Sequence, residues 1–263
     1  SFVKGPLPNN NSKIEYVITN NESLKLAGSF TLDNIEPYQT VFFKFQDHIS
    51  NLNQFLNGKS GSVTVKHNLV GFFPRFLVGN IQNSLQSVSF THSYYDCTSC
   101  SSPSDYWNRQ NESHYDSSIS IPLFLENNFF TDLVIYPNLS PSIFDLNIKI
   151  HDKQGNLLLD LPNYMRITSH DSKLVKINFN ELITKNNIDT KNHLTAQIIT
   201  AFQDKKIPTR IKFGLNVGKT GNKSKLPCNI CFNSDLGNPP IDNKPNSFHW
   251  CPMFSTGNTV ISF

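Results

Sequence analysis

Alanine is almost missing from this chain: three occur in 263 residues, at Ala27, Ala196 and Ala201, against 33 asparagines. The best helix former is withheld and a turn former is abundant, which argues against a helical bundle and for strands joined by turns. Part of that skew, toward Asn, Lys, Ile and Phe together, is what an AT-rich genome encodes, so the weight falls on residue spacing. Charge is scarce as well. Lys and Arg number 23 and Asp and Glu 20, only 16% of the chain. The basic residues Lys185, Lys191, Lys205, Lys206 and Arg210 are dispersed, so the counterion-releasing arm of a strong nucleic-acid binder is excluded. Apolar runs such as Ile121 to Leu125 and Ile198 to Phe202 stop far below the ~18 residues that a membrane-spanning helix requires.

The motifs of enzymes are missing too. There is no GxSxG, GxGxxG or HExxH, and Gly218-Lys219-Thr220 ends like a phosphate loop but has Phe213 where the first glycine belongs. The histidines (His48, His67, His92, His114, His151, His170, His193 and His249) show no metal-ligand spacing. Ser169, His170, Asp171 and Ser172 are adjacent, and neighbours on one strand point to opposite faces, which rules out a nucleophile, base and orienter in line. Asp145, Asp152, Glu22 and Asp33 read as strand-end or turn carboxylates. No catalytic residue is nominated, and a non-enzymatic protein without a cofactor is expected.

Cysteine is sparse and odd in number: Cys97, Cys100, Cys228, Cys231 and Cys251. This is not the dense framework of a small disulfide module. Cys97-x-x-Cys100 and Cys228-x-x-Cys231 could supply four thiolates to one tetrahedral zinc, with His249 or Cys251 as a substitute ligand. Against that, 127 residues separate the two pairs; free thiols in loops, or a disulfide, are the plainer readings. Five Asn-x-Ser/Thr sequons, at Asn10, Asn21, Asn111, Asn138 and Asn222, are about as many as chance gives with 44 Ser and Thr, so they carry no signal. The chain opens Ser1-Phe2-Val3 with no cationic, apolar leader, as expected of a processed product.

What is present is alternation. Leu24, Leu26, Phe30 and Leu32, then Val41, Phe43 and Phe45, follow the period of two of half-buried strands. A short helix is predicted from Asp47 as N-cap through Ile49, Leu52, Phe55 and Leu56 to Gly58. Strands follow around Val63 to His67, Phe76 to Ile81 and Leu85 to Phe90. After a polar stretch, Cys97 to Ser118, alternation resumes at Ile119 to Leu125, Leu133 to Tyr136 and Phe144 to Ile150. The turn Lys153 to Asn156 returns the chain through Leu157 to Leu161 as a hairpin. Met165 to Thr168, Leu174 to Phe179, Thr195 to Phe202 and Ile207 to Asn216 complete the set, with a second helix near Glu181 to Lys185. Short strands at this spacing predict an all-β, antiparallel β-sandwich or jelly roll with two short helices and long loops. The expected division is an extended N-terminal arm over 1–22, the sandwich over 23–217, and an irregular C-terminal extension over 218–263. Tyr94-Tyr95 and Tyr106-Trp107 could stack on sugars, or pack the long loop down.

One ordered set of segments resembles a known family. A helix before Gly58-Lys-Ser-Gly-Ser-Val-Thr-Val-Lys66, then Arg75-Phe-Leu-Val-Gly79 and Leu85-Gln-Ser-Val-Ser-Phe90, then Ser118-Ile-Ser-Ile-Pro-Leu123 and Leu133-Val-Ile-Tyr-Pro-Asn-Leu139, is similar to the strand order of picornavirus-like jelly-roll capsid proteins. The likeness spans Leu24 to Ile150. Leu123 stands where the family favours Tyr, and Gly58-Lys59-Ser60 where it has an Arg-Gly-Ser turn. The resemblance implies a structural coat protein of a small non-enveloped icosahedral virus, located in the virion. Its implied partners are other capsid subunits, same or related, and a host receptor. The rival expectation is a secreted or cell-surface β-sandwich adhesin that binds glycans, extracellular, with the cysteine pairs oxidised.

Overall fold

The structure is a computed structural model and describes residues 1–70, 76–82, 87–93, 117–135, 143–168, 174–190, 193–202, 210–221, 228–235 and 255. Its centre is an antiparallel β-sandwich. One sheet has the order β11 (Leu157–Ile167), β10 (Phe144–His151), β13 (Leu194–Phe202), β8 (Ser117–Leu123). The other has the order β12 (Val175–Asn178), β9 (Phe129–Ile135), β14 (Arg210–Lys219), β15 (Cys228–Asp235). Every pairing in both is antiparallel. Sequence alternation explains how the sheets face each other. On β10, Phe144, Leu146, Ile148 and Ile150 are wholly buried, while Asn147, Lys149 and His151 between them reach solvent. They meet Leu133, Ile135, Phe213 and Leu215 of the opposite sheet in a single apolar cluster. Each such buried side chain contributes about 1.5–3 kcal/mol of transfer free energy.

A short helix, α3 (Phe179–Lys185), closes one end of this core with Phe179, Leu182 and Ile183. Its start is written locally. Asn178 is the N-cap: its Oδ1 accepts a hydrogen bond from the Glu181 backbone N–H at 3.1 Å, while its side-chain Nδ2 donates to Glu181 Oε1 at 3.1 Å. That reciprocal pair satisfies a helix-end donor and fixes the first turn.

The chain before the sandwich forms smaller sheets. Strand β2 (Ser12–Thr19) lies between β3 (Lys25–Leu32) and β5 (Ser62–His67), and β1 (Phe2–Val3) pairs with β4 (Thr40–Val41). Helices α1 (Phe45–His48) and α2 (Leu52–Leu56) supply Ile49 and Leu52, at and between their ends, to a cluster with Tyr16 and Ile18. Strands β6 (Leu77–Gln82) and β7 (Ser87–His92) form a two-stranded ribbon.

Several expectations are corrected here. Residues 1–22 are not a loose arm. Ile14, Tyr16 and Ile18 turn inward while Lys13 and Glu15 turn outward, so β2 is the central strand of its sheet. The segment before it is fastened as well. Asn9 exchanges backbone hydrogen bonds with Ile35 and accepts from the Val70 amide at 3.1 Å, and buried Lys4 donates to the Val70 carbonyl. The sandwich starts at β8 rather than at residue 23, because the described core divides into clusters over 2–69 and a cluster over 121–215. The C-terminal boundary at 217 falls inside β14, and β15 follows within the stretch expected to be irregular.

Three short helices, not two, occur among the described residues. Asp47 sits inside α1 and caps nothing; the caps are Lys44 and Asn51, and α2 ends where Asn57 and Gly58 take positive φ of 49° and 69°. Leu157 to Leu161 and Met165 to Ile167 belong to one strand. Pro162 is tolerated because β11 is an edge strand, and a bulge with Asn163 at φ 52° absorbs the extra residues against β10. The Asn163 amide donates to Asn147 Oδ1 at 2.7 Å across that bulge.

Candidate functional site

Three features of the fold carry exposed or costly chemistry. The first is the ribbon. Its register sets Leu77 opposite His92, Gly79 opposite Phe90 and Ile81 opposite Val88 on one face, and polar pairs such as Asn80 with Ser89 on the other. On the apolar face Leu77, Ile81, Val88 and Phe90 are 49%, 55%, 49% and 56% exposed. Gly79 lets the Phe90 ring lie across β6; a Cβ there would come within 2.9 Å of a ring carbon. The ribbon is held at one end. Ser1 and Leu77 exchange backbone hydrogen bonds of 2.9 and 2.8 Å, Ser93 donates to the Phe76 carbonyl at 2.7 Å, and Phe76 meets the buried Phe2 edge-on at 5.4 Å. Strand β7 also runs beside β15 of the sandwich.

The second feature is a buried carboxylate. Thr131, Leu133 and Ile135 of β9 face the core, so Asp132 faces outward; yet it is only 5% exposed. The register places it in a polar row, between Asn178 of β12 and Asn216 of β14. Lys176 approaches its Oδ2 at 3.2 Å, while Oδ1 is buried without a hydrogen-bond partner. Burial pushes this carboxyl above its ordinary range, Lys176 opposes that rise, and the Glu181 charge adds to it. The arrangement holds or releases a proton; no nucleophile stands against it among the hydrogen bonds of the described residues.

The third is the outer face of the β10 sheet. Arg166 grips Asp145 with two hydrogen bonds, Nε to Oδ1 at 2.9 Å and an Nη to Oδ2 at 3.0 Å. The Asp145 side chain is 10% exposed and that of Arg166 57%. Asp145, the second residue of β10, is thus a strand-end carboxylate that is also paired, and Asp152 sits in its turn, accepting from the amides of Gln154 and Asn156. Arg166→Ala is expected to lower the thermal unfolding midpoint more than Lys149→Ala, which breaks only a 3.7 Å contact with the more exposed Asp160. The asymmetry follows from leaving a buried carboxylate without its guanidinium, and differential scanning fluorimetry of the two variants reads it.

The cysteines nominated from the sequence are placed only in part. Cys228 and Cys231 lie on β15, opposite Val217 and Gly214. Cys228 falls in the register row of Val217 and Thr131, and Cys231 in that of Gly214, Val134 and Lys176. Cys97, Cys100, His249 and Cys251 lie outside the described residues, as do the 97–116 stretch, Tyr94-Tyr95, Tyr106-Trp107 and His170-Asp171. Among the described residues no group of three or more His, Cys, Asp and Glu is placed to hold a metal ion, and no helix is long and apolar enough to cross a membrane.

The sequence predicts the two strands of the ribbon but not its exposed apolar face, and it singles out neither Asp132 nor Arg166. The signal for Asp132 was present: a carboxylate enclosed in the apolar run Phe129-Phe-Thr-Asp-Leu-Val-Ile135. The chain was compared with protein-family models, with curated proteins and with solved structures, and no match was found in any of the three.

Proposed function

We propose that this chain is a structural coat subunit of a small non-enveloped icosahedral virion, joining sister subunits through its loops, its termini and the β6–β7 ribbon. One observation carries the reading: the half-exposed apolar face formed by Leu77, Ile81, Val88 and Phe90. That face costs free energy in water and is repaid only when another surface covers it. The ordered resemblance of residues 58–139 to jelly-roll capsid proteins supports the same reading, because Leu85 to Phe90 belongs to it. The low charge density is compatible with contacts between copies, since charged residues are depleted at the centres of such interfaces. Binding of genome or a membrane is not part of this proposal, and no residue is assigned to catalysis.

The test is the double substitution Ile81→Ser, Phe90→Ser, which removes the two most exposed apolar side chains of that face and leaves the sandwich core untouched. Wild-type chain should form large assemblies by sedimentation velocity, and the double variant should sediment as small species with an unchanged far-ultraviolet circular dichroism spectrum. Assembly unaffected by the substitutions removes the ribbon from the contacts. A wild type that never assembles, but binds glycans saturably and shows hexose heterogeneity in intact mass, supports the extracellular adhesin instead.

A further inference from the structure

Among the described residues, the sheet formed by β3, β2 and β5 ends at β3 with no neighbour beyond it. Strand β3, Lys25-Leu-Ala-Gly-Ser-Phe-Thr-Leu32, has eight residues, no proline and a single charge at its start. Five of the eight are exposed: Lys25, Ala27, Gly28, Ser29 and Thr31. An edge of this length is a template for another strand unless charge, proline or a covering element blocks it; the centre of β3 carries no charge or proline, and no described strand pairs with its outer edge.

Its sequence also says what fits there. About Gly28 the pattern reads nearly the same in both directions. Leu26 and Phe30 flank it on the face shared with Tyr16 and Ile18, and Ala27 and Ser29 flank it on the other. Two copies paired antiparallel with Gly28 opposite Gly28 keep every residue on its own face, because side chains alternate with a period of two. Leu26 then meets Phe30 of the second copy twice, Ala27 meets Ser29 twice, and Lys25 meets the uncharged Thr31 twice. No like charges face each other. Gly28 is itself required within the chain, since a Cβ there would collide with the Tyr16 hydroxyl and lie 2.7 Å from its ring Cζ. The Tyr16 hydroxyl thereby extends across β3 at the very residue on which the two-fold axis falls.

We propose that β3 is a self-complementary docking edge, and that its partner is β3 of a second copy of this chain, joined in a two-fold, six-stranded antiparallel sheet. The pairing is isologous, so each contact occurs twice and the assembly closes at two. Main-chain hydrogen bonds supply the attraction and the Leu26–Phe30 pairs fix the register. It stands apart from the coat reading: dimers without shells leave it intact, and shells whose contacts omit β3 do not rescue it.

Sedimentation equilibrium of the full chain carrying Ile81→Ser and Phe90→Ser, in which the coat reading expects no larger assembly, tests it, read as a dissociation constant for the dimer. That parent chain is expected to show a reversible monomer–dimer equilibrium. Thr31→Lys sets a lysine against Lys25 of the second copy at two places and should weaken the dimer at least about tenfold. The double variant Lys25→Glu, Thr31→Lys turns both contacts into attractive pairs and should return the constant to within about threefold of the parent chain. Within one chain Thr31 stands opposite Lys13, so both variants carry the same internal repulsion. Recovery in the double variant therefore reports the contact between copies, with circular dichroism confirming that both are folded. A parent chain that is monomeric throughout, a dimer indifferent to Thr31→Lys, or no recovery in the double variant each overturns the proposal.

Discussion

Phe179→Ala is expected to lower the unfolding free energy by about 3–5 kcal/mol, the cost of an emptied aromatic site in a core that collapses only partly. Phe179 is wholly buried, and it opens α3 directly after the Asn178 cap. Its ring therefore serves two links at once, filling the end of the sandwich and holding the helix against it. The loss should exceed that of Leu182→Ala, because Leu182 keeps 6% exposure and lies a turn further along the helix. Urea unfolding followed by circular dichroism measures both. A Phe179→Ala midpoint close to wild type would mean that α3 does not close this core.

Asp132→Asn is expected to stabilise the protein at neutral pH by about 1 kcal/mol, since a buried ion pair often costs more to desolvate than it returns. The sign follows from linkage. The folded carboxyl is raised above its ordinary value of 3.8, so the native state binds its proton at a pH where the unfolded chain has already lost it. Above the folded value the native state bears the cost of a buried charge. As pH falls through that value the wild type gains stability, and its deficit against Asp132→Asn closes by the ordinary Asp range. The Asn variant loses the attraction of Lys176, but that side chain is 56% exposed and remains solvated. Denaturant midpoints of the two proteins across pH 7 to 4 measure the effect. Parallel curves, or an Asn variant less stable at neutral pH, would contradict it.

Much of the sandwich was legible because its signal is local. Phe144 to Ile150 alternates without interruption, and the Asp152 to Asn156 turn with Gly155 at φ 82° leads straight into the return strand. The second predicted helix, near Glu181 to Lys185, is α3, which begins two residues earlier, because Leu174 to Phe179 continues an apparent strand by spacing. The rest failed for identifiable reasons. Pro6, Pro8 and the run of Asn9 to Asn11 signal a loose arm, but Asn9 spends its side chain on the Val70 amide, and the pattern Ile14, Tyr16, Ile18 behind it is a strand. Phe43 and Phe45 continue an apparent strand by spacing, yet their rings join Phe30 in an edge-to-face group and Phe45 begins a helix. Pro162 looks like a strand break and is a bulge, because only tertiary context reveals which strand is at an edge. The costly groups were hidden for the same reason. That Asp132 is covered on the outer face of its sheet, and that Arg166 reaches Asp145 twenty-one residues away, are consequences of pairing and not of spacing.

The central claim is that an all-β subunit is built to be covered by its siblings. Electron microscopy of the purified full chain addresses it most directly, because a coat subunit declares itself by geometry. Closed shells or pentamers, with the Leu77, Ile81, Val88 and Phe90 face buried between copies, are predicted. Discrete monomers in which that face stays open to solvent at every concentration examined would contradict it.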